Sequence, residues 1–109
     1  MFEAIPVLGT VYCITEKSIL EDPILENCDG YCDHTTKRIV ISDMLPEREN
    51  QLEDMEAYKK KVIRHELIHA FFFESGLGAD SIGKDEELVD WIAMQFPKVN
   101  KVFEELGVM

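Results

Sequence analysis

The chain has 109 residues, about the size of one ordinary domain, so we expect a single domain over residues 1–109. Its hydrophobic fraction of 46% is that of a globular protein, and no stretch approaches the roughly 18 continuous apolar residues of a membrane helix. Eleven basic against 22 acidic residues give a net charge of −11, which argues against nucleic-acid and anionic-membrane partners.

The first residues, MFEAIPVLG, have no basic segment and no long apolar run, so they do not resemble a signal peptide and a cytoplasmic protein is expected. Cys13, Cys28 and Cys32 are odd in number, which favours reduced thiols over a disulfide framework. A second metal site formed by Cys28, Cys32 and His34 is an alternative for which the C-x₃-C spacing is a weak signal.

The N-terminal half has the pattern of β-strands. PVLGTVYCITE alternates apolar and polar side chains between Val7 and Thr15 and is rich in β-branched residues, which predicts a strand. EDPILENCDG has the composition of a loop. YCDHTTKRIVIS predicts an antiparallel hairpin around HTTK, with Arg38–Ser42 as its second strand.

The C-terminal half has the pattern of helices. One long helix is predicted from about residue 52 to about residue 75, with Gly76 at its C-terminal cap. After GLGADSIGK, DEELVDWIAMQF predicts a second helix that Pro97 stops, and KVNKVFEELG predicts an amphipathic third helix. Strands followed by helices indicate an α+β domain, with a small antiparallel sheet packed against the long helix, the second helix and the C-terminal helix.

The sequence HELIH at residues 65–69 matches H-E-x-x-H inside the predicted long helix. Side chains four residues apart share a helix face, so the imidazoles of His65 and His69 can bind one zinc ion. Glu66 lies about 100° further round the helix, where its carboxylate can act as a general base. The alternative is a core helix with hydrogen-bonded histidines, but buried His and Glu need partners, which favours the metal.

A catalytic zinc ion takes three protein ligands and keeps its fourth position for water. No histidine follows His69, so we expect a downstream carboxylate as the third ligand. Glu86 and Asp90 are four residues apart in the second helix, so Glu86 could bind the metal while Asp90 accepts the free N–H of a liganding histidine. Glu87 is the main alternative to Glu86, and two others, ranked lower, are His34 and Glu74.

HELIHAFFFESGL followed by EELVDWIAMQFPK resembles the gluzincin branch of zinc peptidases, and more closely the small ImmA/IrrE-type and minigluzincin proteins, many of them encoded by phages. The match covers about residues 60 to 98. The resemblance implies that Glu66 is the base and acid and that Asp90 orients a histidine. The zinc ligands that it implies are His65, His69 and Glu86.

The resemblance further implies a zinc-dependent endopeptidase that acts on a protein or peptide, with a regulatory protein as one candidate substrate. In such peptidases the strand beside the cleft pairs with the substrate, which nominates Arg38–Ser42. Larger gluzincins add a His or Tyr that stabilises the oxyanion, a role open here to Tyr12, Tyr31 or His34. The alternatives are a non-catalytic zinc-binding interaction module and a self-inhibited peptidase with VFEELGVM folded over its cleft. The phenylalanines at 71–73 are expected in the core and in one wall of the cleft.

Overall fold

A computed structural model describes residues 2–44, 54–78 and 84–109. These residues form four strands and then two α-helices, with a short 3₁₀ helix, Pro23–Glu26, before the third strand. The elements are β1 (Phe2–Val7), β2 (Thr10–Lys17), β3 (Gly30–Asp33), β4 (Arg38–Ser42), α1 (Met55–Glu74) and α2 (Glu86–Leu106). The predicted α+β class is confirmed. In the described ranges, neither helix is long and apolar enough to cross a bilayer.

The segment predicted as the first strand contains a hairpin turn. β1 and β2 pair antiparallel, and Val7 faces Thr10 across a turn of two residues, Leu8 and Gly9. Both turn residues have positive φ, 48° and 90°, as tight hairpins with right-handed twist require. The alternation from Val7 to Thr15 therefore spans the end of one strand and most of the next.

The sheet has the order β1-β2-β4-β3, and the prediction that it is wholly antiparallel is wrong. β1 with β2 and β3 with β4 are antiparallel pairs, but β2 and β4 run parallel. β4 occupies a central position because the chain crosses to the far edge as β3 before it returns. Its consecutive residues Ile39, Val40 and Ile41 are all buried, as expected for a strand that is covered on both faces.

α1 packs across the sheet through Val62 and Ala70, which belong to the same core as the buried side chains of β2 and β4. The helix begins after Asp54, whose side chain accepts a hydrogen bond from the N–H of Ala57. The predicted cap at Gly76 is confirmed, since this residue has φ of 95° and its N–H donates to the carbonyl of Phe73. The predicted start at about residue 52 lies outside the described residues.

α2 continues through Pro97 to Leu106, so the predicted stop and the separate third helix are wrong. Proline has no N–H, and the carbonyl of Ala93, four residues earlier, therefore lacks its usual partner. The Nε of Arg64 on α1 donates to that carbonyl at 2.7 Å. A donor from the neighbouring helix thus replaces the missing backbone hydrogen bond, which favours continuation of the helix.

Candidate metal centre

His65, Glu66 and His69 lie in the middle of α1, where the helix borders both the sheet and α2. Glu66 shares the sheet-facing side with Val62 and Ala70, which lie four residues before and after it, and all three are buried. His65 and His69 lie beside this face and are partly buried. Their ring centroids are 5.0 Å apart, as expected for imidazoles one helical turn apart.

Glu86, the first residue of α2, reaches both histidines. One of its carboxylate oxygens lies 2.9 Å from Nε2 of His65, and the other lies 2.9 Å from Nε2 of His69. One ligand atom from each of the three residues falls within 4.8 Å of the others. Glu87 does not belong to this group. Of the three carboxylates considered, Glu86, Glu87 and Glu74, the structure therefore brings Glu86 to the histidines.

Asp90 lies behind His65, one turn further along α2. Its Oδ1 is 3.0 Å from Nδ1 of His65 and 2.6 Å from Nζ of Lys61. The Lys61 ammonium, and with it the His65 ring, lowers the pKa of Asp90, so this group is a carboxylate at neutral pH. Asp90 can therefore accept the Nδ1–H of His65 and leave Nε2 directed at Glu86.

These contacts give His65 an unusual requirement. Both of its ring nitrogens face carboxylate oxygens, Nδ1 facing Asp90 and Nε2 facing Glu86. A neutral imidazole has one N–H and can satisfy only one of them. The second nitrogen needs a positive charge between itself and Glu86, either a proton or a metal ion. Two imidazole nitrogens and a carboxylate oxygen form a donor set that zinc takes in catalytic sites.

Glu66 is only 7% exposed and has no place in the ligand group. Its pKa is raised to about 7, mainly by burial, with His65 opposing the rise and the Glu86 carboxylate adding to it. A carboxyl group that titrates near neutral pH can both take up and release a proton under working conditions. The position and environment of Glu66 thus fit the predicted base.

A cleft of about 560 Å³ opens beside Glu66, His69 and Glu86. Its opposite side consists of β3 and the residues around it, and its far end consists of the C-terminal turn of α1. The other lining residues are Cys28, Gly30, Tyr31, Cys32, His34, Phe73, Leu77, Gly78 and Lys84. Phe73 forms a wall of the cleft as predicted, whereas Phe71 is exposed and the prediction of a core role for it is wrong.

The strand at this cleft is β3, whereas Arg38–Ser42 was nominated. Arg38–Ser42 is paired on both sides and cannot accept another strand, so that nomination is wrong. β3 is an edge strand. The N–H of Ser42 donates to the carbonyl of Asp29, so these two residues form a hydrogen-bonded pair between β3 and β4. Hydrogen-bonded and non-hydrogen-bonded pairs alternate along an antiparallel ladder, so Cys32 belongs to a non-hydrogen-bonded pair and its backbone N–H and C=O point to the free edge.

Gly30 brings β3 close to α1. A Cβ atom at this position would lie 3.0 Å from side-chain carbons of both Ile41 and Val62. Any larger residue would push the strand away from α1, one turn from Glu66. Glycine at residue 30 therefore sets the width of the cleft beside Glu66.

The three candidates for the oxyanion role have different surroundings. The hydroxyl of Tyr12 donates to Glu74 at 2.7 Å, and this residue does not line the cleft. The hydroxyl of Tyr31 donates to Asp22, although the side chain lines the cleft. The ring of His34 lines the cleft and stacks on Phe73, with centroids 4.0 Å apart.

The cysteines carry free thiols, as predicted, and Cys28 and Cys32 line the cleft. Within residues 2–44, 54–78 and 84–109, they do not converge with His34 on a second metal site. The segment VFEELGVM at residues 102–109 is exposed and does not line the cleft, which contradicts the self-inhibited arrangement. Residue 102 is about 24 Å along α2 from Glu86.

The sequence patterns did not predict the roles of two basic residues in this region. Lys61 lies one turn before His65 and holds Asp90, and Arg64 donates to the carbonyl of Ala93. The only sequence signal was the spacing of Lys61, four residues before His65. Comparisons of the chain with protein-family models, with curated proteins and with solved structures find no match.

Proposed function

We propose that this protein is a zinc-dependent endopeptidase of the gluzincin type. The observation that carries the proposal is the arrangement around His65, whose two nitrogens face the carboxylates of Asp90 and Glu86 while His69 reaches the same Glu86. This arrangement calls for a cation at the point where His65, His69 and Glu86 meet. The buried Glu66 beside it supplies a base of suitable pKa.

A zinc ion at this point would supply a Lewis acid for the substrate carbonyl and would lower the pKa of a water molecule. Glu66 would take a proton from the water as its oxygen attacks the peptide carbonyl carbon. The same carboxyl group would then give that proton to the amine nitrogen as the C–N bond breaks. Asp90, held by Lys61, would keep His65 in the required orientation.

The substrate would bind as an extended peptide along β3. The free edge of this strand borders the cleft, and the backbone N–H and C=O of Cys32 point toward it. Among the three oxyanion candidates, His34 is favoured, because its ring lines the cleft whereas the hydroxyls of the two tyrosines donate to carboxylates. A protein or peptide partner fits this edge, and the resemblance to phage-type proteins favours a regulatory protein.

Metal content and cleavage together test the proposal. Purified protein is analysed for zinc by mass spectrometry and is assayed on casein and on a peptide library. Glu66→Gln should retain zinc and lose cleavage by about 10²-fold or more, since only the base is removed. Glu86→Ala should lose zinc, whereas Glu87→Ala, the matched control, should retain it. Undiminished cleavage by Glu66→Gln would refute the mechanism, and zinc loss in Glu87→Ala alone would reverse the ligand assignment.

A non-catalytic zinc-binding interaction module is the second candidate, and the sparse packing of α2 favours it. Only Val89 and Ala93 of α2 are buried, so a metal held between the two helices would be a large part of what joins them. Chelation followed by circular dichroism separates the two cases. Loss of the fold on chelation, without cleavage by the zinc-loaded protein, supports the structural role, whereas a folded but inactive metal-free protein supports the peptidase.

A further inference from the structure

The direction of α2 shows on which side of the candidate metal centre Lys84 lies. Glu86 contacts His69, whereas Asp90, one turn further along α2, contacts Lys61 in the first half of α1. The two helices therefore run antiparallel. Lys84 comes two residues before Glu86 in the chain, so it is expected on the side of the C-terminal turn of α1.

The linings of two neighbouring hollows agree with this position. The cleft of about 560 Å³ and a smaller hollow of about 220 Å³ meet at Glu66 and Glu86, which line both. The smaller hollow lies along the first half of α1, and Lys84 does not line it. Lys84 lines the cleft, together with Phe73 and Leu77. We call the part of the cleft beside these last three residues the far pocket.

The charge of Lys84 is not neutralised by a neighbour. Histidines aside, the charged side chains that line the cleft in the described ranges are Glu66, Glu86 and Lys84. No carboxylate of the described residues forms an ion pair with Lys84, whose side chain is exposed. Lys37, near the same turn of α1, differs in this respect, because its Nζ lies 2.8 Å from Glu74. Lys84 therefore offers an unpaired ammonium group to whatever occupies the far pocket.

The rest of the far pocket is apolar. The ring of His34 stacks on Phe73 with centroids 4.0 Å apart, and Leu77 is 39% exposed beside them. Clefts that are mostly apolar owe their selectivity to the few polar groups placed among the apolar ones. A short aliphatic stem that ends in a carboxylate matches this lining, because its methylenes can lie on the rings while its oxygens reach Lys84.

We propose that Lys84 binds a carboxylate of the peptide substrate in the far pocket and is thereby a specificity-determining residue. Two groups of a peptide carry this chemistry, the side chain of a glutamate and the α-carboxylate of the C-terminus. The inference rests on the proposed function in one respect, since the cleft must accept a peptide. The net charge of −11 disfavours acidic peptides in general, so the preference should be confined to one position.

Three peptide mixtures test the proposal with the full chain. All have random sequences without other acidic residues and an acetylated N-terminus. The first has Glu at one central position and an amidated C-terminus. The second has Gln in place of Glu, and the third has Gln and a free C-terminal carboxylate. The zinc-loaded wild type is assayed for kcat/KM, with the cleaved bond located by mass spectrometry. Zinc-loaded Glu66→Gln, with and without each Lys84 substitution, is assayed for binding by fluorescence anisotropy.

A carboxylate-containing mixture should be cleaved and bound about fivefold better than the second mixture, because a partly exposed ion pair is made. Preference for the first mixture assigns a glutamate side chain, and preference for the third assigns the C-terminus. Lys84→Gln should bring the ratio to about one, and Lys84→Glu should reverse it. Lys60→Gln makes the same charge change at an exposed position outside the cleft and should keep the wild-type ratio.

Several outcomes would overturn the inference. Equal cleavage of the three mixtures would refute the role of Lys84 and leave the peptidase standing. A carboxylate preference that persists in Lys84→Gln would assign the carboxylate to another group, and loss of zinc from this variant would show that Lys84 acts on the metal. Carboxylate-dependent binding that requires Lys84, without cleavage by the wild type, would support the far pocket and refute the peptidase. Absence of both binding and cleavage would refute both proposals.

Discussion

Removing the carboxylate of Asp90 should weaken zinc binding without removing any of the proposed zinc ligands. Asp90 accepts from Nδ1 of His65 at 3.0 Å and thereby directs Nε2 toward Glu86. Loss of such a partner typically costs 10- to 100-fold in metal affinity, roughly 1.4 to 2.7 kcal/mol. The Asp90 side chain is 36% exposed, so water can partly replace it. We therefore expect an effect near the lower end of this range, so that Asp90→Ala increases the zinc dissociation constant about tenfold.

Replacing Lys61 should also weaken zinc binding, but by a smaller factor, because this residue acts on His65 only through Asp90. Its Nζ lies 2.6 Å from Asp90 in a partly exposed pair, a kind of contact worth about 0.2 to 1 kcal/mol. Lys61→Met should therefore raise the zinc dissociation constant about two- to fivefold. Lys60→Met, at the exposed neighbouring position, is the matched control and should leave the constant unchanged.

Competition with a chromophoric zinc chelator at fixed pH measures the zinc dissociation constants of the wild type and of all three variants. We expect zinc affinity to fall in the order wild type and Lys60→Met, then Lys61→Met, then Asp90→Ala. Wild-type affinity in Asp90→Ala would refute the argument that this carboxylate orients His65. A Lys61→Met variant weaker than Asp90→Ala would mean that the lysine acts on the site by another route.

Two further predictions concern stability. Arg64→Met should lower the free energy of unfolding by about 1 to 3 kcal/mol, because it leaves the buried carbonyl of Ala93 without a donor. In a Pro97→Ala background, the restored N–H of residue 97 should make the loss caused by Arg64→Met smaller. An equal loss in both backgrounds, measured by urea denaturation, would contradict the replacement of the missing hydrogen bond by Arg64. Separately, hydrogen bonds from Lys37 and Tyr12 lower the pKa of Glu74 from 4.5 to about 2. The stabilisation from this carboxylate is therefore complete above pH 4.5 and is lost as the pH falls toward 2. The wild type should therefore be more stable than Glu74→Gln at pH 7, with the difference vanishing near pH 2, and a difference that stayed constant with pH would contradict the assignment.

The parts of the site that the sequence predicted are those fixed by one helix. His65, Glu66 and His69 are placed by helical geometry alone, and α1 has no proline or glycine to disturb it. Glu86 was preferred to Glu87 because Asp90 follows it by one helical turn, and the structure brings both residues to His65. These inferences needed only local periodicity and the requirement for a third ligand.

The parts that the sequence did not predict depend on contacts between distant residues. The continuation of α2 past Pro97 depends on Arg64, which lies 29 positions before Ala93. No local sequence pattern contains that information. The parallel pairing of β2 with β4 likewise depends on where the chain crosses to form β3. The strand beside the cleft was misassigned for the same reason, since edge and centre are properties of the sheet order and not of a strand's own sequence.

A metal ion bound by His65, His69 and Glu86, as proposed above, would join α1 to α2 as well as serve catalysis. Besides the buried Val89 and Ala93, these helices are joined by polar contacts, from Glu86 to both histidines, from Asp90 to His65 and Lys61, and from Arg64 to a backbone carbonyl. Without a cation, His65 can keep its contacts to both Asp90 and Glu86 only if the imidazole is protonated. Chelation at a pH well above the ordinary histidine pKa of about 6.5 should therefore loosen the first turn of α2, while the buried sheet residues remain ordered. Hydrogen exchange that increases at residues 86–90 but not in β4 after chelation would support this coupling, and uniform protection across both segments would show that packing alone holds the helix.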